Sequence, residues 1–103
     1  MQARAASEEE LRSAELLYGG LDLPDLALAR IAELSDRSEE IFRARDGWAA
    51  VIDLDGTAVI AMSDGARWSF ACPAGTDEAD AMQAARTLHG WIAKQSDDWD
   101  LDR

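Results

Sequence analysis

The chain has 103 residues, of which 48% are hydrophobic and 30% are charged, and its formal net charge at pH 7 is −11. This length accommodates one domain, residues 1–103, and the acidic balance disfavours direct binding to nucleic acid or to an anionic membrane. No apolar run is long enough to span a bilayer, and the single cysteine, Cys72, excludes an internal disulfide. A single cysteine is typical of a reducing compartment, so we expect a cytoplasmic protein. We also expect its two ends, residues 1–6 and 97–103, to be flexible.

Two helices are predicted in the first half of the chain. Ser7 and Glu10 have the spacing of a capping box, apolar residues follow at helical intervals, and a Gly-Gly pair then ends the pattern, which predicts a helix over 7–18. A second apolar stripe with helical spacing predicts a helix over 24–45. The polar segment "SDRSEE" within it leaves open whether that second helix is continuous.

Three short strands are predicted next, in the segments "WAAVIDL", "TAVIAM" and "ARWSFAC". They are separated by Asp55-Gly56 and Asp64-Gly65, and Asp-Gly between apolar runs is a strong signal for a tight hairpin turn. The pattern predicts a three-stranded antiparallel meander near residues 48–72.

A last helix is predicted near residues 77–95, with Thr76 as its cap and several acidic residues in its first turn. The predicted fold class is α+β: two N-terminal helices, a three-stranded antiparallel meander and a C-terminal helix. We expect the helices to cover one face of the sheet, with Trp68 and Phe70 pointing towards them.

The stretch "VIDLDGTAV", residues 51–59, resembles the nucleophile motif of the haloacid dehalogenase (HAD) phosphatases. That resemblance implies a nucleophile at Asp53 and an acid–base residue at Asp55. The family places this motif at the end of a parallel strand, whereas the pattern here predicts an antiparallel hairpin. We therefore interpret Asp55-Gly56 as a turn and keep a HAD-like phosphatase as an alternative.

Other candidates for catalytic or metal-binding chemistry are few. His89 is the only histidine, so it has no second histidine with which to share a metal. Cys72 alternates with Trp68 and Phe70, which predicts a small core side chain. We predict a non-enzymatic protein with no catalytic residue, no cofactor and no metal.

The acidic residues are unevenly distributed along the chain. Residues 1–45 contain ten acidic and six basic residues, whereas residues 46–103 contain eleven acidic and four basic residues. The candidate partner-binding residues are Asp53, Asp55, Asp64, Asp77, Glu78, Asp80, Asp97, Asp98, Trp99 and Asp100. Turn formation, the helix dipole and solvation explain each group locally. Together, the carboxylates are expected to form one face that imitates the phosphates of a nucleic acid.

The layout of "GWAAVIDLDGTAVIAMSDGARWSFACPAGTDEADAMQAARTLHGWIAKQSDDWD" is similar to that of some acidic anti-CRISPR proteins, phage-encoded inhibitors of bacterial defence. The shared features are a short antiparallel meander, an acidic helix start and a helix with a late tryptophan. The resemblance implies a DNA mimic that binds a basic protein or ribonucleoprotein, such as a CRISPR effector complex, and blocks its binding of target DNA. It leaves homodimer formation open.

Two other classes of function fit the same sequence. An immunity protein or antitoxin that neutralises a basic toxin would need the same acidic surface. A housekeeping or phage structural domain would carry the charge only for solubility.

Overall fold

A computed structural model describes residues 1–22, 26–35, 47–63 and 67–101. The elements in chain order are β1 (Gln2–Ala5), α1 (Glu8–Ser13), β2 (Glu15–Leu21), α2 (Leu26–Ala32), β3 (Trp48–Leu54), β4 (Thr57–Ser63), β5 (Trp68–Cys72) and α3 (Glu78–Leu101). Within these ranges, no helix combines the length and the apolar character that crossing a bilayer requires.

The five strands form one antiparallel sheet in the order β1-β3-β4-β5-β2. Strands β3, β4 and β5 are neighbours in both sequence and space. Strand β1 pairs with β3, with Gln2 opposite Asp53, and β2 pairs with β5, with Glu15 opposite Cys72. Helix α1 therefore connects the two edge strands of the sheet.

The β3–β4 connection is a two-residue hairpin turn. Asp55 and Gly56 have φ values of 52° and 94°, and a type I′ turn requires positive φ at both positions. The Asp53 carboxylate accepts a hydrogen bond from the Gly56 amide at 2.8 Å, which fixes the turn further. The predicted turn at Asp55-Gly56 is confirmed, and the one predicted at Asp64-Gly65 lies outside the described residues.

The main core lies between one face of the sheet and helices α2 and α3. Trp68 and Phe70 of β5 belong to the same buried cluster as Leu88 and Ile92 of α3 and Ile31 of α2. Each large apolar side chain buried in this way contributes about 1.5–3 kcal/mol of stability. The prediction that Trp68 and Phe70 face the helices is confirmed.

A smaller cluster covers the opposite face of the sheet. Val51, Ile60 and Ala71 point to that face because they alternate with the residues of the main core. Leu11 of α1 packs against them and is partly buried. Helices therefore cover both faces, whereas the sequence predicted that they cover one.

The predicted architecture of two N-terminal helices, a three-stranded meander and a C-terminal helix is wrong, because the sheet has five strands. The predicted helix over 7–18 ends at Ser13, and Glu15–Leu21 form β2. Pairing with β5 outweighs the local helical preference of this segment, as tertiary contacts often do. Tyr18 shows why: its ring packs edge-on against Phe70 at a centroid distance of 5.4 Å, and its hydroxyl donates to the Ala85 carbonyl at 3.1 Å.

The second predicted helix and the N-terminal segment also differ from the prediction. The helix expected over 24–45 is present as α2, which ends at Ala32, and residues 36–46 lie outside the described part of the chain. Strand β1 occupies Gln2–Ala5, where the sequence predicts no element. Its formation depends on pairing with β3, a contact between residues far apart in sequence that no local pattern reveals.

Helix α3 differs at both ends from the prediction of 77–95. Its cap is Asp77, whose carboxylate accepts a hydrogen bond from the Asp80 amide at 3.1 Å. Thr76, the predicted cap, instead donates its hydroxyl to the Pro73 carbonyl at 2.7 Å. The helix continues to Leu101.

Candidate functional site

The topology places acidic residues at one end of the sheet, where strands begin or end. Strands β3 and β5 end where β1, β2 and β4 begin, because all neighbouring strands are antiparallel. The chain then turns from β5 into the start of α3. The acidic residues at this end, which we call the acidic edge, are Glu15, Asp53, Asp55, Asp77, Glu78 and Asp80.

The acidic edge is broad as well as charged. Asp53 lies on β3 and Glu15 on β2, which are three strand spacings apart in the sheet. Neighbouring strands are separated by about 4.8 Å, so these two residues lie about 14 Å apart across the sheet. All six side chains are exposed to solvent. Their carboxylates are therefore accessible to a large partner.

Two aspartates belong to the β3–β4 turn. Asp53 has one carboxylate oxygen bound to the Gly56 amide, and its other oxygen has no hydrogen-bond partner within the described residues. Asp55 occupies the first central position of the turn with its side chain exposed. The tight turn holds the backbone of both residues in place.

Three acids lie at the start of α3. Asp77 is the cap, and Glu78 and Asp80 lie in the first turn, where the helix dipole stabilises negative charge by about 0.3–1 kcal/mol per residue. The dipole gives a local reason for their presence. It does not remove their charge from the surface.

The pKa of the Cys72 thiol is affected by the acidic residues near it. Burial raises its pKa, and the carboxylates of Glu15 and Glu78 raise it further. The thiol is therefore protonated and buried, which makes it a poor nucleophile. Glu15 of β2 and Glu78 of α3 are therefore both close enough to the end of β5 to act on the Cys72 thiol.

Two salt bridges join described residues, and neither of them involves a carboxylate of the acidic edge. Arg4 pairs with Glu10, and Arg30 pairs with Glu33. Among the described residues, no basic side chain forms a salt bridge with a carboxylate of the acidic edge. Within the described residues, the carboxylates of this edge are therefore not directly ion-paired, although Arg4 lines the same cavity as Asp53.

A cleft opens beside the acidic edge, between the β3–β4 turn and the first turns of α3. Its volume is about 380 Å³, and Asp55 and Asp80 line it from opposite elements. Leu54 and Ala84 provide apolar surface inside it, and Gln83 provides an amide. Met1, Thr57 and Thr87 complete its lining.

The structure brings together five of the predicted partner-binding residues: Asp53, Asp55, Asp77, Glu78 and Asp80. Asp64 lies outside the described residues. Asp97, Asp98, Trp99 and Asp100 belong to the last turns of α3. At 1.5 Å per residue, Asp97 lies about 26 Å along the helix from Asp80, so these four residues do not join the acidic edge.

One residue of the acidic edge, Glu15, is not among the partner-binding residues predicted from the sequence. Glu15 was assigned to the helix predicted over 7–18, and as the first residue of β2 it lies opposite Cys72 instead. A local signal for this strand is Tyr18 in "LLYGGL", since tyrosine is enriched in strands.

The chemistry of the HAD motif requires a setting that differs from this one. Asp53 is the penultimate residue of β3, which is antiparallel to both of its neighbours, and its carboxylate is bound to the turn that follows. Within the described ranges, no group of three or more histidine, cysteine or acidic side chains is placed to hold a metal ion. The arrangement suits electrostatic attraction of a cationic surface.

Comparison with protein-family models, curated proteins and solved structures found no match for this chain. The fold and the charge of the acidic edge are therefore the basis on which its function is inferred.

Proposed function

We propose that this protein is a non-enzymatic acidic inhibitor that binds the basic, nucleic-acid-binding surface of a partner. The observation that carries this proposal is the acidic edge: six exposed carboxylates from three separate segments of the chain lie at one end of the sheet. Asp55 and Asp80 come from segments that only the fold brings together. Solubility alone does not require the carboxylates to be concentrated at one end of the sheet.

The physical basis is competition for basic side chains. A protein that binds DNA or RNA neutralises phosphates with lysine and arginine, and a duplex presents one phosphate charge about every 1.7 Å along its axis. Carboxylates spread over about 14 Å of a rigid sheet edge offer several of those side chains an alternative partner. The net charge of −11 also accelerates encounter with a cationic surface.

The partner that the resemblance to acidic anti-CRISPR proteins favours is a CRISPR effector complex. In its guide-loaded form, such an effector has a basic channel that receives target DNA. The acidic edge would occupy part of this channel and thereby exclude the DNA. An immunity protein or antitoxin would use the same edge against a basic toxin, so the two functions differ only in the partner.

The experiment is a displacement assay on guide-loaded effectors of several types, with a panel of basic nuclease toxins as a parallel arm. Retention of labelled target DNA is measured by gel mobility shift while the protein is titrated. We expect at least one effector to lose its DNA. Activity against a toxin alone would assign the protein to the immunity class. If DNA binding and toxin activity both survive a large excess of the protein, the proposal is wrong.

A further inference from the structure

The two edge strands of the sheet differ in what lies against them. On β1, the Ala3 amide donates to the Leu34 carbonyl at 3.2 Å, so a group from outside the sheet occupies part of that edge. The Arg4 side chain also donates to the Ala5 carbonyl at 3.4 Å. Strand β2 pairs with β5 on one side, and in the described sheet no strand pairs with its other side. Such an edge presents backbone donors and acceptors that can pair with another chain.

The side chains of β2 do little to block this edge. Natural edge strands are often protected by lysine, by proline or by charges that point inward. Glu15–Leu21 contains neither lysine nor proline, and its one charged residue, Glu15, is the first of the strand. Leu16 follows it and is 68% exposed, the highest value among the large apolar side chains of the described residues. The edge therefore combines unpaired backbone with an exposed leucine.

Leu16 continues an apolar surface that begins inside the protein. It lies opposite Ala71 of β5, and directly opposite residues of an antiparallel pair share a face of the sheet. Ala71 belongs to the smaller cluster, in which Leu11 and Met62 are only partly buried. An apolar strip therefore runs from this cluster to the outer edge of β2.

We propose that the outer edge of β2 binds the same edge of a second copy of this chain. The two β2 strands would run antiparallel about a two-fold axis at Tyr18, which joins the two five-stranded sheets into one. Soluble homo-oligomers most often pair identical patches about such an axis. In this register Leu16 of one copy lies opposite Gly20 of the other. Glu15 then lies opposite Leu21.

This register places the exposed leucine where space is available. Gly20 has no side chain, and no heavy atom lies within 4 Å of a Cβ built on it. Leu16 of the second copy can therefore lie over the Gly20 backbone. The two-fold axis repeats the contact, so the dimer removes both leucine side chains from water.

The charges at the two ends of β2 favour the antiparallel arrangement. It separates the two Glu15 residues by about 20 Å, the length of six residues of strand. Each Glu15 lies instead beside the far end of the other β2, where Arg67 donates to the Gly20 carbonyl at 3.1 Å and Asp22 follows the strand. The charges of Arg67 and Asp22 sum to zero, so that end does not repel a carboxylate as a second Glu15 would.

Two features weaken the dimer. The pairing of β2 with β5 is irregular between Leu16 and Tyr18 and between Tyr18 and Leu21, and such bulges disturb hydrogen bonding along a strand. Each copy also carries a net charge of −11, so the copies repel each other at low salt. We therefore expect monomers at micromolar concentration and dimers near millimolar concentration. Self-association should strengthen as salt rises, whereas binding to a basic partner should weaken.

The test is sedimentation equilibrium of the whole chain from micromolar to millimolar concentration, with an NMR dilution series of the ¹⁵N-labelled protein. We expect a monomer–dimer equilibrium, and the largest concentration-dependent shifts at the amides of Leu16, Tyr18 and Gly20. Leu16→Lys should raise the dissociation constant of the dimer at least about tenfold, because it places a charge on the pairing edge. Leu16→Met should change the constant less than about threefold, because methionine preserves the apolar contact.

The matched control is Ala93→Lys, which adds the same charge at an exposed position of α3 and should change the constant less than about twofold. Substitutions at exposed positions such as Leu16 and Ala93 have little effect on folding, which thermal unfolding of each variant would verify. Three results would overturn the proposal: a monomer at every concentration, a dimer that Leu16→Lys leaves intact, or shifts centred on another element. None of these results bears on the acidic edge, which is tested with a basic partner.

Discussion

At the scale of single residues, Glu10 is bound by both Arg4 and Ser7. Its carboxylate accepts two hydrogen bonds of 2.7 Å from the Arg4 guanidinium and a third, at 3.1 Å, from the Ser7 amide. The Ser7 hydroxyl in turn accepts from the Glu10 amide at 3.1 Å, which completes the capping box predicted from the sequence. One side chain thus ties β1 to the start of α1.

This arrangement predicts a specific pH dependence of stability. The hydrogen bond from Arg4 is the main reason that the pKa of Glu10 falls from its ordinary value of 4.5 to about 2. Because the pKa is lower in the folded state, Glu10 stabilises the fold fully above pH 4.5, and this contribution disappears as the pH falls towards 2.

Replacing Glu10 by Gln should lower the free energy of unfolding at pH 7 by about 0.5–1.5 kcal/mol, since the pair is partly exposed. Urea unfolding of both proteins between pH 7 and pH 2 measures the difference. The difference between the two free energies of unfolding should shrink as the pH falls from 4.5 towards 2. A difference that stays constant down to pH 2 would contradict the role assigned to the ionised carboxylate.

At the scale of elements, the β3–β4 turn and helix α3 each contain a glycine whose replacement by alanine would meet no neighbouring atom. Gly56 has φ of +94°, Gly90 lies within the helix, and no heavy atom lies within 4 Å of a Cβ built at either position. Any effect of Ala at these positions therefore comes from backbone conformation.

We expect Gly56→Ala to destabilise the protein by about 1–2 kcal/mol, because the left-handed region is unfavourable for a residue with a Cβ. Gly90→Ala should stabilise it by about 0.5–1 kcal/mol through higher helix propensity. Thermal unfolding of the two variants beside the parent measures both effects. Shifts of the same sign would mean that the turn or the helix is assigned incorrectly.

Strand β1 is the element that the sequence did not predict, and Ala3 allows its presence to be tested. The Ala3 side chain is buried in the main core, whereas its neighbour Gln2 is exposed. Ala3→Asn should therefore cost about 1–3 kcal/mol by burying an unpaired amide, and Gln2→Asn less than about 0.5 kcal/mol. Equal stabilities of the two variants in urea unfolding would show that residues 2–5 do not form part of the sheet.

The elements that the sequence predicted correctly depend on local signals. The type I′ turn at Asp55-Gly56 and the capping box at Ser7 are fixed by residues within three or four positions of each other. Strand β2 depends on pairing with β5, which follows much later in the chain, so the local pattern of "ELLYGGL" predicts the end of a helix instead. Local periodicity contains no information about that partner.

The same limit applies to the candidate site. The acids of the β3–β4 turn and of the start of α3 were identified because they are clustered and unpaired in the sequence. Glu15 was missed because its position depends on β2. The sequence places the acidic residues of the last turns of α3 on the same face as the others. In the helix, however, Asp97 lies about 26 Å from Asp80.

At the scale of the whole molecule, the antiparallel order β1-β3-β4-β5-β2 determines where the charge lies. It places three strand starts, two strand ends and the beginning of α3 at one end of the sheet. The acidic edge follows from this order, since its members are scattered from Glu15 to Asp80 in the chain. A partner would therefore recognise the folded protein, and an unfolded chain of the same charge would bind it less tightly.

The salt dependence of association tests the central claim most directly. The double variant Glu78→Gln with Asp80→Asn removes two charges from the acidic edge, and Glu8→Gln with Glu9→Gln removes two from the first turn of α1. All four side chains are exposed at helix starts, so the loss of helix stabilisation, about 0.3–1 kcal/mol per residue, is matched.

The measurement is the association rate constant of each protein with the guide-loaded effector or toxin that responds in the displacement assay, at about 0.05 M and about 0.2 M salt. We predict a steep fall with salt for the parent protein, and at low salt an association at least about threefold slower for the acidic-edge variant than for the control. Equal rates for the two variants, or a rate indifferent to salt, would contradict the claim that the acidic edge is the binding surface.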